Sequence, residues 1–197
     1  MAIAVSSLVA LPPRDRGVGP RAVAMSLQHQ LPRTASGFDR DGHSGLDALL
    51  SMAVELAPRA PAWPGMARPR RRRWALMAAS EVYEAWVIAW PPGGAIELHD
   101  HGGSSGAVVV AAGELLETSV VARPSGGVAL ETTRMGEGGS VRFTGRHVHD
   151  VVNVGDTPAI SVHVYAPLLT SMTYYRVTDG VLEVGSTIRY RFGEAVA

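Results

Sequence analysis

Two imidazoles stand one residue apart in Leu98-His99-Asp100-His101, and a glycine-rich stretch, Gly102-Gly103-Ser104-Ser105-Gly106, follows them. In an extended chain, residues i and i+2 point to the same face, with their Cα atoms roughly 6–7 Å apart. His99 and His101 can therefore converge on one metal ion while Asp100 points away. A second cluster lies downstream, Arg146-His147-Val148-His149-Asp150-Val151-Val152-Asn153. His147 and His149 also share a face if that segment is extended, so either could reach the same ion. A third pattern is Ser161-Val162-His163-Val164-Tyr165. At a period of two, Ser161, His163 and Tyr165 lie on one face. If that face points inward, Ser161 can orient His163, and His163 can orient the Tyr165 hydroxyl as a hydrogen-bond donor or an acid/base. Taken alone, these residues read as satisfied polar groups of a core. Beside two histidine clusters they read as part of a site.

Composition narrows the chemistry. The chain has 197 residues, formal net charge zero, and no cysteine. Disulfides, thiolate ligands and a cysteine nucleophile are excluded. Any metal must be held by histidines and carboxylates, a set that suits Fe, Zn, Mn, Ni or Cu. All the basic residues are arginine. The neutral balance gives no reason to expect a nucleic-acid or membrane partner. No apolar run reaches the eighteen or so residues of a membrane span. Met1-Ala2-Ile3-Ala4-Val5 lacks a basic segment before it, so no signal peptide is read there. A cytoplasmic protein, monomeric or weakly homo-oligomeric, is the expectation.

The elements must bring the clusters together. Residues 1–41 show no period and carry Pro12-Pro13, Gly17 and Gly19-Pro20; they read as a disordered extension. From 42 to 197 the chain reads as one domain. Ser44 can cap a helix with Asp47 in its first turn, and Leu46, Leu49, Leu50, Val54 and Leu56 give an apolar stripe ending near Ala57-Pro58. Pro61 to Pro69 is a connector, followed by Arg70-Arg71-Arg72-Arg73. As a run, four arginines are a solvated patch, with no aromatic platform to suit a nucleic acid. The last one or two, at the start of a strand entering a barrel, can point inward and pair with a substrate carboxylate.

From Trp74 onward the pattern is of short strands and turns. Glu81 to Trp90 alternates, Ala107 to Ala112 is apolar throughout as in a strand buried on both faces, and Leu115 to Val121 follows. Ser140 to Phe143, Val148 to Val154, Ala159 to Tyr165, Met172 to Val177 and Val181 to Arg191 complete the set. Seven or more short strands with one helix predict a mainly β fold, a jelly-roll barrel with an N-terminal packing helix.

Two segments resemble the motifs of the cupin superfamily. The first is Gly93, five residues, His99-x-His101, four residues, Gly106, six residues, Gly113; the second is Gly138, five residues, Thr144, then Arg146, His149, three residues and Asn153. Cupins normally carry a glutamate where this chain has Gly106, and proline and glycine where it has Thr144 and Arg146. The resemblance selects His149 over His147 as third ligand. Loss of the glutamate leaves a three-histidine site, which is similar to that of the thiol dioxygenases of the cysteine dioxygenase type. Ser161-x-His163-x-Tyr165 resembles that family's triad, Trp90 stands nine residues before His99, and Ala166-Pro167 falls where the family has a small residue before proline.

What the resemblance implies is specific. His99, His101 and His149 would bind Fe(II). A small thiol and O2 would be the substrates, L-cysteine or 3-mercaptopropionate, and the product a sulfinic acid. Tyr165, His163 and Ser161 would be the catalytic triad. Counting back from Trp90 by the family's interval lands on Arg73 as the carboxylate ligand, with Arg72 the neighbouring alternative. Mammalian members carry a cysteine crosslinked to the tyrosine; the matching position is Gly106, so Tyr165 stays unmodified. A cupin isomerase using Zn or Mn would want a carboxylate ligand that the motif lacks. A non-catalytic metal-binding cupin is the other alternative.

Overall fold

The computed structural model describes residues 43–191 and 194–196; the expected extension over 1–41 lies outside them. Helix α1 (His43–Leu56) runs into a 3-10 turn over Ala57–Ala62, which contains Pro58 and Pro61. The strands are β1 (Arg73–Ala79), β2 (Glu84–Trp90), β3 (Ala95–His99), β4 (Ser105–Ala112), β5 (Leu115–Ala122), β6 (Val128–Met135), β7 (Ser140–Phe143), β8 (His149–Val152), β9 (Ala159–Ala166), β10 (Ser171–Thr178), β11 (Val181–Arg191) and β12 (Glu194–Val196).

The strands form two antiparallel sheets, ordered β1-β2-β9-β4-β7 and β12-β11-β10-β3-β8-β5-β6. The chain passes back and forth between them, so that β9 pairs with both β2 and β4, and β8 with both β3 and β5. This is the double-stranded β-helix of a cupin, the mainly β barrel with one packing helix that the sequence predicts.

Side-chain alternation on the five-stranded sheet separates packing from chemistry. One face carries Ala85, Val87 and Ala89 of β2, Ala107 and Val109 of β4, and Ile160, Val162 and Val164 of β9. It is covered by Leu49, Ala53 and Leu56 of α1 and by Ala60 and Met66 beyond it. Each fully buried valine or leucine there contributes about 1.5–3 kcal/mol. The opposite face turns into the barrel. There Trp90, Val110, Leu115, Met135, Val151 and Ala159 close one end, and Val108, Phe143 and Tyr165 pack nearby. A sheet covered on both faces explains the unbroken apolar run of β4.

Some expectations shift. Helix α1 begins at His43, so Ser44 lies within it rather than before it. Its buried stripe is Leu49, Ala53 and Leu56, at helical spacing, while Val54 is 54% exposed. β3 and β6 were not legible as strands: β3 is five residues long, and β6 is an edge strand with five consecutive exposed residues, so no alternation marks it.

Candidate metal centre

His99 ends β3, His101 follows it in the loop to β4, and His149 opens β8, in register with His99 across the β3–β8 pair. The three residues are 3%, 1% and 1% exposed. Their ring centroids form a near-equilateral triangle with sides of 4.9, 4.8 and 5.0 Å, and one ligand nitrogen from each lies within 4.8 Å of the others.

Two tautomers are set by their partners. His99 Nδ1–H donates to the Glu97 carbonyl at 2.8 Å, and His149 Nδ1–H donates to Glu117 Oε1 at 2.5 Å, leaving Nε2 of each for a metal. His101 differs: neither ring nitrogen has a hydrogen-bond partner. An unsatisfied buried polar group costs on the order of 1–3 kcal/mol, and a cation among the three rings would satisfy it. Burial, then the neighbouring imidazoles, hold His99 and His101 well below the ordinary histidine value. Burial also lowers His149, against the pull of Glu117. Neutral imidazoles are the form that ligates, so the residues fit a divalent metal ion. Three protein ligands leave a coordination position open on such an ion.

Asp100 points away, and it fixes the loop. Its Oδ1 accepts from Gly102 N at 3.0 Å and Thr173 N at 2.9 Å, and its Oδ2 from the Tyr175 hydroxyl at 2.7 Å. Asn153, the last residue of the second motif, is structural: its Nδ2 donates to the carbonyls of Trp90 and Thr157, and its Oδ1 accepts from Gly155 N.

Ser161, His163 and Tyr165 face the barrel interior from β9, each 6% exposed or less. They form a hydrogen-bonded chain with Trp90. Trp90 Nε1–H can only donate, and does so to Ser161 Oγ at 2.8 Å. The Ser161 hydroxyl is hydrogen-bonded to His163 Nε2 at 2.8 Å, and His163 Nδ1 to the Tyr165 hydroxyl at 3.1 Å, with the donor in each pair set by the His163 tautomer. Burial brings His163 down to about 3, so its ring is neutral and carries a single proton. Burial and the Glu84 carboxylate raise Tyr165 far above the ordinary phenol value, so it is a donor and not a phenolate. Its ring lies 5.1 Å from that of His101.

The arginine run resolves by strand parity. Arg73 is exposed and pairs with Ala89, whose side chain faces α1, and its guanidinium lies along Gly65. Arg72, one residue earlier, faces the interior: its guanidinium lies 5.5 Å over the Trp90 ring and 5.6 Å over Trp74, and Nη1 donates to the Ala95 carbonyl at 3.3 Å. Burial lowers Arg72, and the hydroxyls of Tyr174, Tyr190 and Tyr165 act against that shift. Arg73, the expected carboxylate ligand, thus lies on the α1 side of the sheet and its neighbouring alternative Arg72 on the interior side, because a one-residue step along a strand exchanges its faces.

Sequence reasoning missed Glu117, 3% exposed on β5, which accepts hydrogen bonds from both His149 and His147. Its burial alone would raise the carboxyl, but those two bonds outweigh it and bring the value to about 2. The signal was available: Glu117 is in phase with Leu115 on an alternating strand. Tyr174 and Tyr190, around Arg72, come from the C-terminal hairpin and carried no motif.

The family model for cysteine dioxygenase type I matches residues 50–177. No curated protein sequence matches the chain significantly. Among solved structures, the chain is similar to the TT1209 protein of Thermus thermophilus (23% identity, 51% of this chain and 87% of that one, TM-score 0.43). It is also similar to an uncharacterized protein with a double-stranded β-helix domain from Klebsiella pneumoniae (22% identity, 52% and 79%, TM-score 0.43). A third is an oxalate oxidase in complex with the substrate analogue glycolate (19% identity, 73% and 68%, TM-score 0.47). Among the described residues, no helix is long and apolar enough to cross a membrane.

Proposed function

The chain belongs to the cysteine dioxygenase type I family, and from that premise we propose that it is a non-haem iron dioxygenase adding both atoms of O2 to the sulfur of a small carboxylate-bearing thiol. The reaction is RSH + O2 → RSO2H: sulfur loses four electrons, O2 gains four, and no further reductant is consumed. The observation that carries the reading is the buried triangle of His99, His101 and His149 with an orphaned imidazole at one corner.

His99, His101 and His149 would hold Fe(II), which when bound supplies the redox chemistry joining a thiol to O2. The protein's own residues do the rest. Arg72 is the carboxylate partner, its guanidinium held over Trp90 so that a bidentate pair is formed with little reorganisation. Tyr165 presents its hydroxyl proton to the reacting sulfur and oxygen atoms, in the His163 tautomer that takes the Ser161 proton at Nε2 and donates Nδ1–H to the Tyr165 oxygen. The enclosing apolar residues exclude water and strengthen each of these interactions. L-cysteine is the substrate of this reading, with 3-mercaptopropionate the nearest alternative, since both offer a thiol and a carboxylate. A thiol-catabolic role is the one that chemistry supports.

Anaerobically purified, Fe(II)-loaded protein is expected to consume O2 with L-cysteine or 3-mercaptopropionate and to form one sulfinate per O2. Iron-replete protein that takes up no O2 with either thiol would overturn the reading in favour of a non-catalytic metal-binding cupin.

A further inference from the structure

The divalent site has no anionic ligand of its own. A Cβ built on Gly106 would lie 2.6 Å from Phe143 Cζ, 2.8 Å from Cε2 and 3.0 Å from the Val164 carbonyl oxygen. The Phe143 ring therefore fills the position from which a carboxylate side chain would reach the metal. That ring stacks on His101 at 4.7 Å and 23°, and on His147 at 4.9 Å and 17°. His147 Nε2–H in turn donates to Glu117 Oε1 at 3.0 Å, the same oxygen that accepts from His149 at 2.5 Å.

We propose that Glu117 is a positioning residue that supplies, through His149, the negative charge missing at Gly106, and that Phe143 and His147 lock it in place. The inference rests on the metal-centre reading above. A carboxylate behind a ligating imidazole fixes the ring and raises its basicity, and a buried cation without a nearby anion is costly. Moving that anion behind His149, rather than onto the metal, leaves the open positions free. His147 is then neither a ligand nor a surface residue. It is the second donor that keeps Glu117 Oε1 directed at His149.

The test is Co(II) titration of the apo-protein, read by visible absorption and by equilibrium dialysis, beside the apo melting temperature. Wild type should bind one Co(II), and His99→Ala should abolish binding. Glu117→Gln, which keeps the shape of the side chain, should weaken binding about 10–100-fold and shift the Co(II) bands. His147→Ala, which removes the second donor, should weaken it by a smaller factor. A folded Glu117→Gln protein with wild-type affinity and spectrum overturns the inference while leaving the metal centre standing. Should Glu117→Gln fail to fold, wild-type Co(II) affinity in His147→Ala overturns it instead. Wild type that binds no Co(II) overturns the metal centre and this inference with it.

Discussion

At the scale of single residues, side-chain parity decides which groups meet. Ser161, His163 and Tyr165 are spaced by two on β9, and the sequence placed them on one face; the same rule, one residue out of step, separates Arg72 from Arg73. Arg72→Ala is expected to raise KM at least tenfold for a carboxylate-bearing thiol and to leave cysteamine, which has no carboxylate, nearly unaffected. Arg73→Ala should change either by less than twofold. Steady-state O2-uptake kinetics on both thiols checks this, and equal effects of the two substitutions would remove Arg72 from substrate binding. Neither parity of the arginine run was readable beforehand, because β1 carries apolar residues on both faces.

At the scale of elements, the site depends on strands that place polar groups inward and apolar groups under α1. β4 lies between β9 and β7 in the five-stranded sheet, and its Gly106 pairs with Phe143, whose ring fills the space a Cβ would take there. Gly106→Ala should cost about 1–3 kcal/mol by overpacking, read as a lowered urea midpoint. Phe143→Leu in the same chain should recover part of that loss, because the two positions are in contact and their effects are not additive. Additive losses would mean that Phe143 does not fill the space at Gly106. The loop after β3 is held differently: Asp100 bonds it to β10, a contact between residues 73 apart that no local pattern announces.

For the whole molecule, burying His99, His101, His149 and His163 in one barrel couples folding to pH. Each has a folded value lowered from the ordinary 6.5. The unfolded chain therefore takes up protons below about pH 6.5 that the folded chain refuses. Apo-protein stability should be full above that pH and fall on acidification, by about 1.4 kcal/mol per pH unit for each histidine involved. Glu117 acts in the same direction, but only below about 4.5, where its unfolded carboxyl begins to titrate. Urea midpoints at pH 7.5 and 5.0 check this, and His163→Gln should flatten the slope; a pH-independent midpoint would contradict the burial of these groups. By itself, the sequence determined the mainly β barrel, and it put His99 with His101, His147 with His149, and Ser161 with His163 and Tyr165 on shared strand faces, because strand periodicity is local and survives without knowledge of the partners. Only the tertiary structure decided which arginine faces the site, what fills the space at Gly106 and which carboxylate stands behind His149. Those depend on the pairing of β1 with β2, β4 with β7 and β5 with β8, contacts between residues far apart in the chain.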